Sequence, residues 1–280
     1  MYKTKLCLGV TENQFLIKTE EQIELFKKVG FDGFFSHDES ADKIKSRKKL
    51  ADSLGMIYQT IHGPTGPVKH LWFEGSETKG AVQHFKNCVN LCADNNIPIL
   101  VMHAFWGFDK PDNDRGLLNF ESIVRYAEDK GIKIAFENTE GEEYLAKVLK
   151  EFSGSTNVGF CWDSGHEMCY NKGVDMLGLY GDRLLCTHLN DNLGISDFDG
   201  KIATTDDLHL LPFDGIADWK YNVGRLEKCN FDGIYTFEMN RKSHIGRHDN
   251  DKYLKMPIEE YITEVYARAC RIAALREKND

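Results

Sequence analysis

Six short apolar segments of the chain each end in a residue able to bind a divalent cation. IYQTIH ends in His62, PILVMH in His103, KIAFE in Glu137, GFCWD in Asp163, LLCTH in His188 and IYTFE in Glu238. A carboxylate or imidazole at the tip of an apolar strand is costly to bury unless something pairs with it. At equivalent ends of a parallel sheet such tips converge in space. Glu137, Asp163, His188 and Glu238 form a nitrogen–oxygen set without a thiolate. Such a set suits Mn²⁺, Co²⁺, Zn²⁺ or Mg²⁺ and does not choose among them. One of these residues alone reads as a structural polar group; four at successive strand tips read as a metal centre.

Further groups extend this set. His62 and His103, and the pair Asp207 and His209 within TTDDLHLLPFDGIADW, either bind additional metals or hydrogen-bond a polyol. The pair is expected in an extended stretch, which presents both side chains on one side. His166, just after Asp163 in CWDSGH, reads as a ligand or a substrate contact. His37 ends the second strand segment and borders the site. Trp106 in HAFWGF offers a flat wall for a sugar, against the alternative of packing between helices. Arg241 opens the long segment RKSHIGRHDNDKYLKMP soon after Glu238. It is a candidate reader of a substrate phosphate, against the alternative of a solvated surface loop.

Strand and helix patterns that carry these residues alternate eight times. The strands are expected at 4–10, 33–38, 56–62, 98–104, 132–138, 158–163, 184–190 and 233–239. They are short apolar runs, as expected for strands buried on both faces. Helical stretches lie between them, several ending on Gly or Asn. The pattern predicts a single (β/α)8 TIM barrel over residues 1–280, with its catalytic face at the carboxyl ends of the strands. A doubly wound open sheet is the alternative, but neither GxGxxG nor GxxxxGK occurs. Side-chain alternation then turns Ala135, Cys161, Cys186 and Thr236 toward the barrel axis, with Lys133 at its floor. The repeat Phe31-Asp32-Gly33 and Phe231-Asp232-Gly233 suggests equivalent turns before strands two and eight.

Composition sets outer bounds. The 280 residues are 41% hydrophobic and 28% charged, as in an ordinary globular protein. MYKTKLCLGV lacks the apolar core of a signal peptide, and no apolar run approaches a membrane span. A cytoplasmic location is the simplest expectation. With 35 basic against 44 acidic residues the formal charge is −9, which argues against non-specific nucleic-acid binding. The eight cysteines make no CxxC pair and read as reduced core thiols.

At IHGP, FENTEG, GFCWDSGH, THLNDN, DLHLLPFDGIADW and YTFEMN, taken in order, the chain resembles the xylose isomerase-like barrel superfamily, which holds sugar and sugar-phosphate isomerases and epimerases together with endonuclease IV. The resemblance spans nearly the whole chain. It implies a divalent metal held by Glu137, Asp163, His188 and Glu238, with the two glutamates exchanging a proton through an enediolate intermediate. The substrate implied is a small carbohydrate, and the protein a possible homo-oligomer. The endonuclease branch implies a trinuclear zinc cluster that adds His62, His103, His166, Asp207 and His209. All nine residues are present, so the ligand set does not separate the two. HLLPFDGIADW favours the isomerases, and PTGPVKHLWFEG lacks the endonuclease pattern. Against the epimerases, an arginine they commonly carry is replaced by Gly194. A non-catalytic sugar-binding barrel is the third reading.

Overall fold

The computed structural model describes residues 4–109, 111 and 113–276. The strands are β1 (Leu6–Gly9), β2 (Gly33–His37), β3 (Ile57–His62), β4 (Ile99–His103), β5 (Lys133–Glu137), β6 (Val158–Asp163), β7 (Leu184–His188) and β8 (Tyr235–Phe237). They run in the order β7-β6-β5-β4-β3-β2-β1-β8, each ladder parallel. Individual backbone bonds join the two ends of this sheet. Leu189 N donates to Thr236 O at 2.7 Å and Glu238 N donates to Leu189 O at 3.2 Å. The Thr187 hydroxyl accepts from Thr236 N at 3.1 Å. With helices between the strands, the chain is a single (β/α)8 barrel. Strand β8 is shorter than the sequence suggests, because closure uses these bonds rather than a long ladder. Glu238 therefore sits one residue past the strand end.

Helices cover the outside because their apolar residues recur at helical spacing. The helix Glu77–Asp94 buries Ala81, Phe85, Cys88, Val89 and Cys92. The helix Ile258–Ala273 buries Tyr261, Ile262, Val265, Ala269 and Ile272. Gly55, at φ 62°, ends the helix Ala41–Leu54 in the left-handed region that favours glycine.

Most of the core lies between strands and helices. Inside the barrel a separate cluster of Ile99, Val101, Ala135, Cys161 and Cys186 fills the axis. These are medium or small side chains, and they support the charged layer at the strand tips. Lys133 does not reach the barrel floor: it is exposed at the start of β5. Two irregularities in register align the tips. A shift between Phe160 and Cys161 sets Asp163 opposite His188. A second, between Phe34 and Ser36, sets His37 opposite His62. Irregular ladders beside functional sites commonly re-aim side chains in this way. The repeated FDG turns do both join a helix to the next strand, and Phe31 and Phe231 are both buried.

Candidate metal centre and active site

Glu137, at the tip of β5, is the centre of the site. Its Oε2 lies 3.0 Å from His62 Nε2 and 3.2 Å from His103 Nε2. Its Oε1 lies 2.8 Å from His188 Nδ1, which is also 3.1 Å from Glu238 Oε2. Burial works against charge on Glu137, yet the facing imidazoles hold its carboxyl well below the usual range. Burial likewise opposes charge on His62 and His188, yet the carboxylates raise both. His103 goes the other way: burial dominates and lowers it. One carboxylate does not sustain three imidazolium ions. For Glu238, burial is again outweighed by His188, and the carboxyl is lowered.

Asp163 has two functions. It ends β6, and it caps the helix Ser164–Cys169 by accepting from His166 N at 2.7 Å through Oδ1. Its Oδ2 accepts from Asn190 Nδ2 at 2.8 Å. Full burial pushes its carboxyl up to about 6. The cap starts the helical turn that brings His166 into the site. His166 Nε2 lies 3.2 Å from Asp207 Oδ2, and His209 Nε2 lies 3.0 Å from Asp207 Oδ1. Burial opposes charge on His209, but Asp207 raises it to about 10. The segment bearing Asp207 and His209 is not a plain extended strand. A 3-10 turn over Thr204–Asp206 precedes it, and His209 has φ 45°. A non-glycine residue held there carries strain of about 1–2 kcal/mol, and such strain gathers at functional sites.

The structure thus brings together all nine candidate ligands. Seven of them, all but Asp163 and His188, line a cavity of about 150 Å³, and Trp106 forms part of its wall, with its ring centroid 5.7 Å from that of His103. His37 borders the same cavity. Sequence reasoning missed Thr139, Glu140 and Tyr170, which also line it. The acidic stretch NTEGEE right after β5 was the only visible signal for Glu140. Its Oε1 accepts from Gly107 N at 2.6 Å, tying the loop that carries Trp106 to the loop after β5.

Arg241 is not part of this site. It is buried, and its guanidinium donates to the carbonyls of Tyr253 (3.1 Å), Phe15 (3.2 Å) and Met256 (2.6 Å). With its donors spent on backbone, it anchors the segment 240–256 and does not read a phosphate. His248 is exposed and pairs with Asp251, while His244 contacts the Asp207 carbonyl at 2.5 Å.

The residues fit a divalent cation. One ligand atom each from Glu137, Asp163, His188 and Glu238 lies within 4.8 Å of every other. That group sets three carboxylates against a single imidazole, an excess of buried negative charge that a cation offsets. Four further groups among the described residues meet the same criterion, His62–His103–Glu137 and Asp163–His166–His209 among them. Among the described residues no helix is long and apolar enough to cross a membrane.

Residues 23–261 match the model of the xylose isomerase-like TIM barrel family, and the chain belongs to that family. The protein y4fM of Sinorhizobium fredii, described as uncharacterized, is 26% identical over an alignment covering 77% of this chain and 79% of its own. A D-tagatose 3-epimerase-like protein shares the fold with a TM-score of 0.70 at 21% identity, covering 95% of this chain and 99% of its own. The IolI protein, solved with a bound zinc atom, gives a TM-score of 0.74 at 17% identity, covering 96% of this chain and 98% of its own.

Proposed function

We propose that this barrel is a divalent-metal-dependent isomerase or epimerase of a ketose or related polyol, acting by proton transfer beside a carbonyl. The observation that carries the reading is the meeting of Glu137 and Glu238 at one imidazole nitrogen, 2.8 and 3.1 Å from His188 Nδ1, with both carboxylates lining the same small cavity. A cation held by Glu137, Asp163, His188 and Glu238 would supply Lewis acidity, polarising a substrate carbonyl so that the neighbouring C–H ionises more readily. The kinship in fold with an epimerase-like protein and with a zinc-bound one supports the same reading.

The two glutamates differ in freedom. Glu137 is buried, with both oxygens engaged by imidazoles. Glu238 is partly exposed, and lowered as it is, it stands as a free base at neutral pH. Glu238 therefore takes the proton first. Return by the same carboxylate to the adjacent carbon gives isomerisation. Return from the other side by Glu137 gives epimerisation, and requires a neighbouring imidazolium first to pass its proton to that carboxylate. Trp106 walls the cavity, and His166 with Asp207 supplies hydrogen bonds for hydroxyls. Incubating metal-loaded protein with a panel of ketoses in D₂O tests this: deuterium enters the carbon-bound position of at least one sugar. No incorporation with Mn²⁺, Co²⁺, Zn²⁺ or Mg²⁺ sinks the reading.

One observation favours a second reading, phosphodiester hydrolysis at a trinuclear centre. Three ligand groups stand side by side and share Glu137 and Asp163. Against it stands the acidic balance of the chain, −9 overall. Metal analysis separates the two, with one bound ion per chain expected for the isomerase and three for the hydrolase. Cleavage of an abasic-site oligonucleotide by zinc-loaded protein would decide for the hydrolase.

A further inference from the structure

The cavity above the metal ligands holds only about 150 Å³, smaller than the roughly 300–1,000 Å³ of most small-molecule sites. Trp106 bounds it on one side. The same indole forms one wall of a second, larger groove of about 460 Å³. This groove runs between the segment after the 3-10 helix Gly66–Leu71 and the loop after β4. Phe73 and Phe108 present rings to it while 41% and 52% exposed. Large aromatic side chains left open beside a catalytic mouth mark a binding surface.

We infer that the groove is a subsite for a second sugar ring, so that the substrate is a glycosidically extended sugar rather than a free monosaccharide. This rests on the carbohydrate reading of the neighbouring cavity and names its substrate class. The lining identifies the occupant. Aromatic faces receive the C–H faces of a pyranose, while His70, Thr78 and the carboxylates at the edges suit hydroxyls. Glu74, Glu77 and Asp109 outnumber Lys69 and His70 in the lining, and the nearby Arg115 is already paired with Glu74, a balance that disfavours a phosphate or a nucleotide in the groove. Glu77 is already paired with His70 at 3.0 Å, which weakens the case for an anion further. Trp106 is common to both linings, so the groove lies beside the smaller cavity, and the inferred second ring sits across the indole from the reacting one. The link from Gly107 N to Glu140 fixes that shared wall from behind.

Calorimetric titration of the Mn²⁺-loaded chain tests this without depending on turnover. The probes are sucrose, lactulose and isomaltulose, each compared with its component monosaccharides. At least one disaccharide should bind about ten-fold or more tightly than either component, a difference of about 1.4 kcal/mol. The double variant Phe73→Ala/Phe108→Ala should abolish that advantage and leave monosaccharide affinity unchanged. Disaccharides that bind no better than their parts, or an advantage that survives the double variant, overturn the inference. So does size-exclusion chromatography showing that the variant splits a dimer, since the rings would then be an interface. Tight disaccharide binding without deuterium exchange would sink the isomerase reading and leave the subsite standing. Exchange into free ketoses with no disaccharide advantage would do the reverse.

Discussion

Two buried clusters of charge lie close together in this barrel and are built on opposite principles. In one, Glu167 accepts from Trp162 Nε1 at 2.9 Å, Met176 N at 3.1 Å and Arg225 at 2.7 Å. The same guanidinium reaches Asp175 at 2.7 Å and Asn222 at 2.6 Å and lies over the Trp162 ring. Arginine is always charged, so this cluster contains its own counter-ion. In the other, the carboxylates of Glu137 and Glu238 face imidazoles, that of Asp163 accepts from two amides, and the buried atoms His103 Nδ1, His188 Nε2 and Glu140 Oε2 have no hydrogen-bond partner among the described residues. Burying a charge does not by itself mark function. A cluster built around a permanent cation ties helices together, whereas one whose carboxylates meet no arginine or lysine is prepared for a cation from outside.

The contrast can be broken at several points. Glu238→Gln should keep the fold and lower kcat by about 10²–10⁴-fold, read by deuterium exchange and by circular dichroism. Near wild-type exchange would show that another group moves the proton. Arg225→Ala should leave the chemistry of the folded molecule intact but cost about 3–5 kcal/mol, because it strands two carboxylates. Urea denaturation measures this, and an equal loss of exchange activity would merge the two clusters into one functional unit. Arg241→Ala should cost about 2–3 kcal/mol through its lost carbonyl bonds, with no preferential loss for phosphorylated over plain sugars. A selective rise in KM for the phosphorylated form would return Arg241 to the site. The smallest effect concerns pH. Burial opposes the Asp214 carboxylate, but Tyr253, Arg268 and Lys252 together hold its carboxyl low. A group lowered in the folded state stabilises above its unfolded value and loses that stability as pH falls through the folded one. Asp214→Asn should therefore cost about 1–3 kcal/mol at pH 7, and the deficit should shrink below about pH 4. A deficit independent of pH would show that the shape of the side chain matters rather than its charge.

The strand tips were legible because each needed only a short apolar run and one polar terminal residue. His62, His103, Glu137, Asp163 and His188 each end a strand, as that pattern implies. Glu238 was legible by type, although β8 stops before it. What escaped the sequence depends on distance along the chain. Arg241 is near Glu238 in sequence, yet the turn after β8 sends it toward Phe15, far away along the chain. Glu167 and Arg225 meet across an equally invisible separation. Glu140 and Tyr170 belong to loops whose course is set by bonds such as Glu140 to Gly107, which no periodicity encodes. The register shift at Cys161 was equally hidden, although it decides which partner His188 faces.

The double duty of Asp163 bears on how relatives of this chain can be judged. Its carboxylate starts a helix as well as facing the candidate metal. Replacing such a cap by alanine costs about 0.5–2 kcal/mol, and short oxygen-bearing side chains serve best. A descendant that abandoned the chemistry would still be held by the helix alone to a capping side chain such as Asp, Asn, Ser or Thr at this position. Glu238 carries no comparable structural duty, for its contact is with His188. Survival of the aspartate therefore says little about whether a relative is still an enzyme, whereas loss of the glutamate is the earlier and more informative sign of retirement.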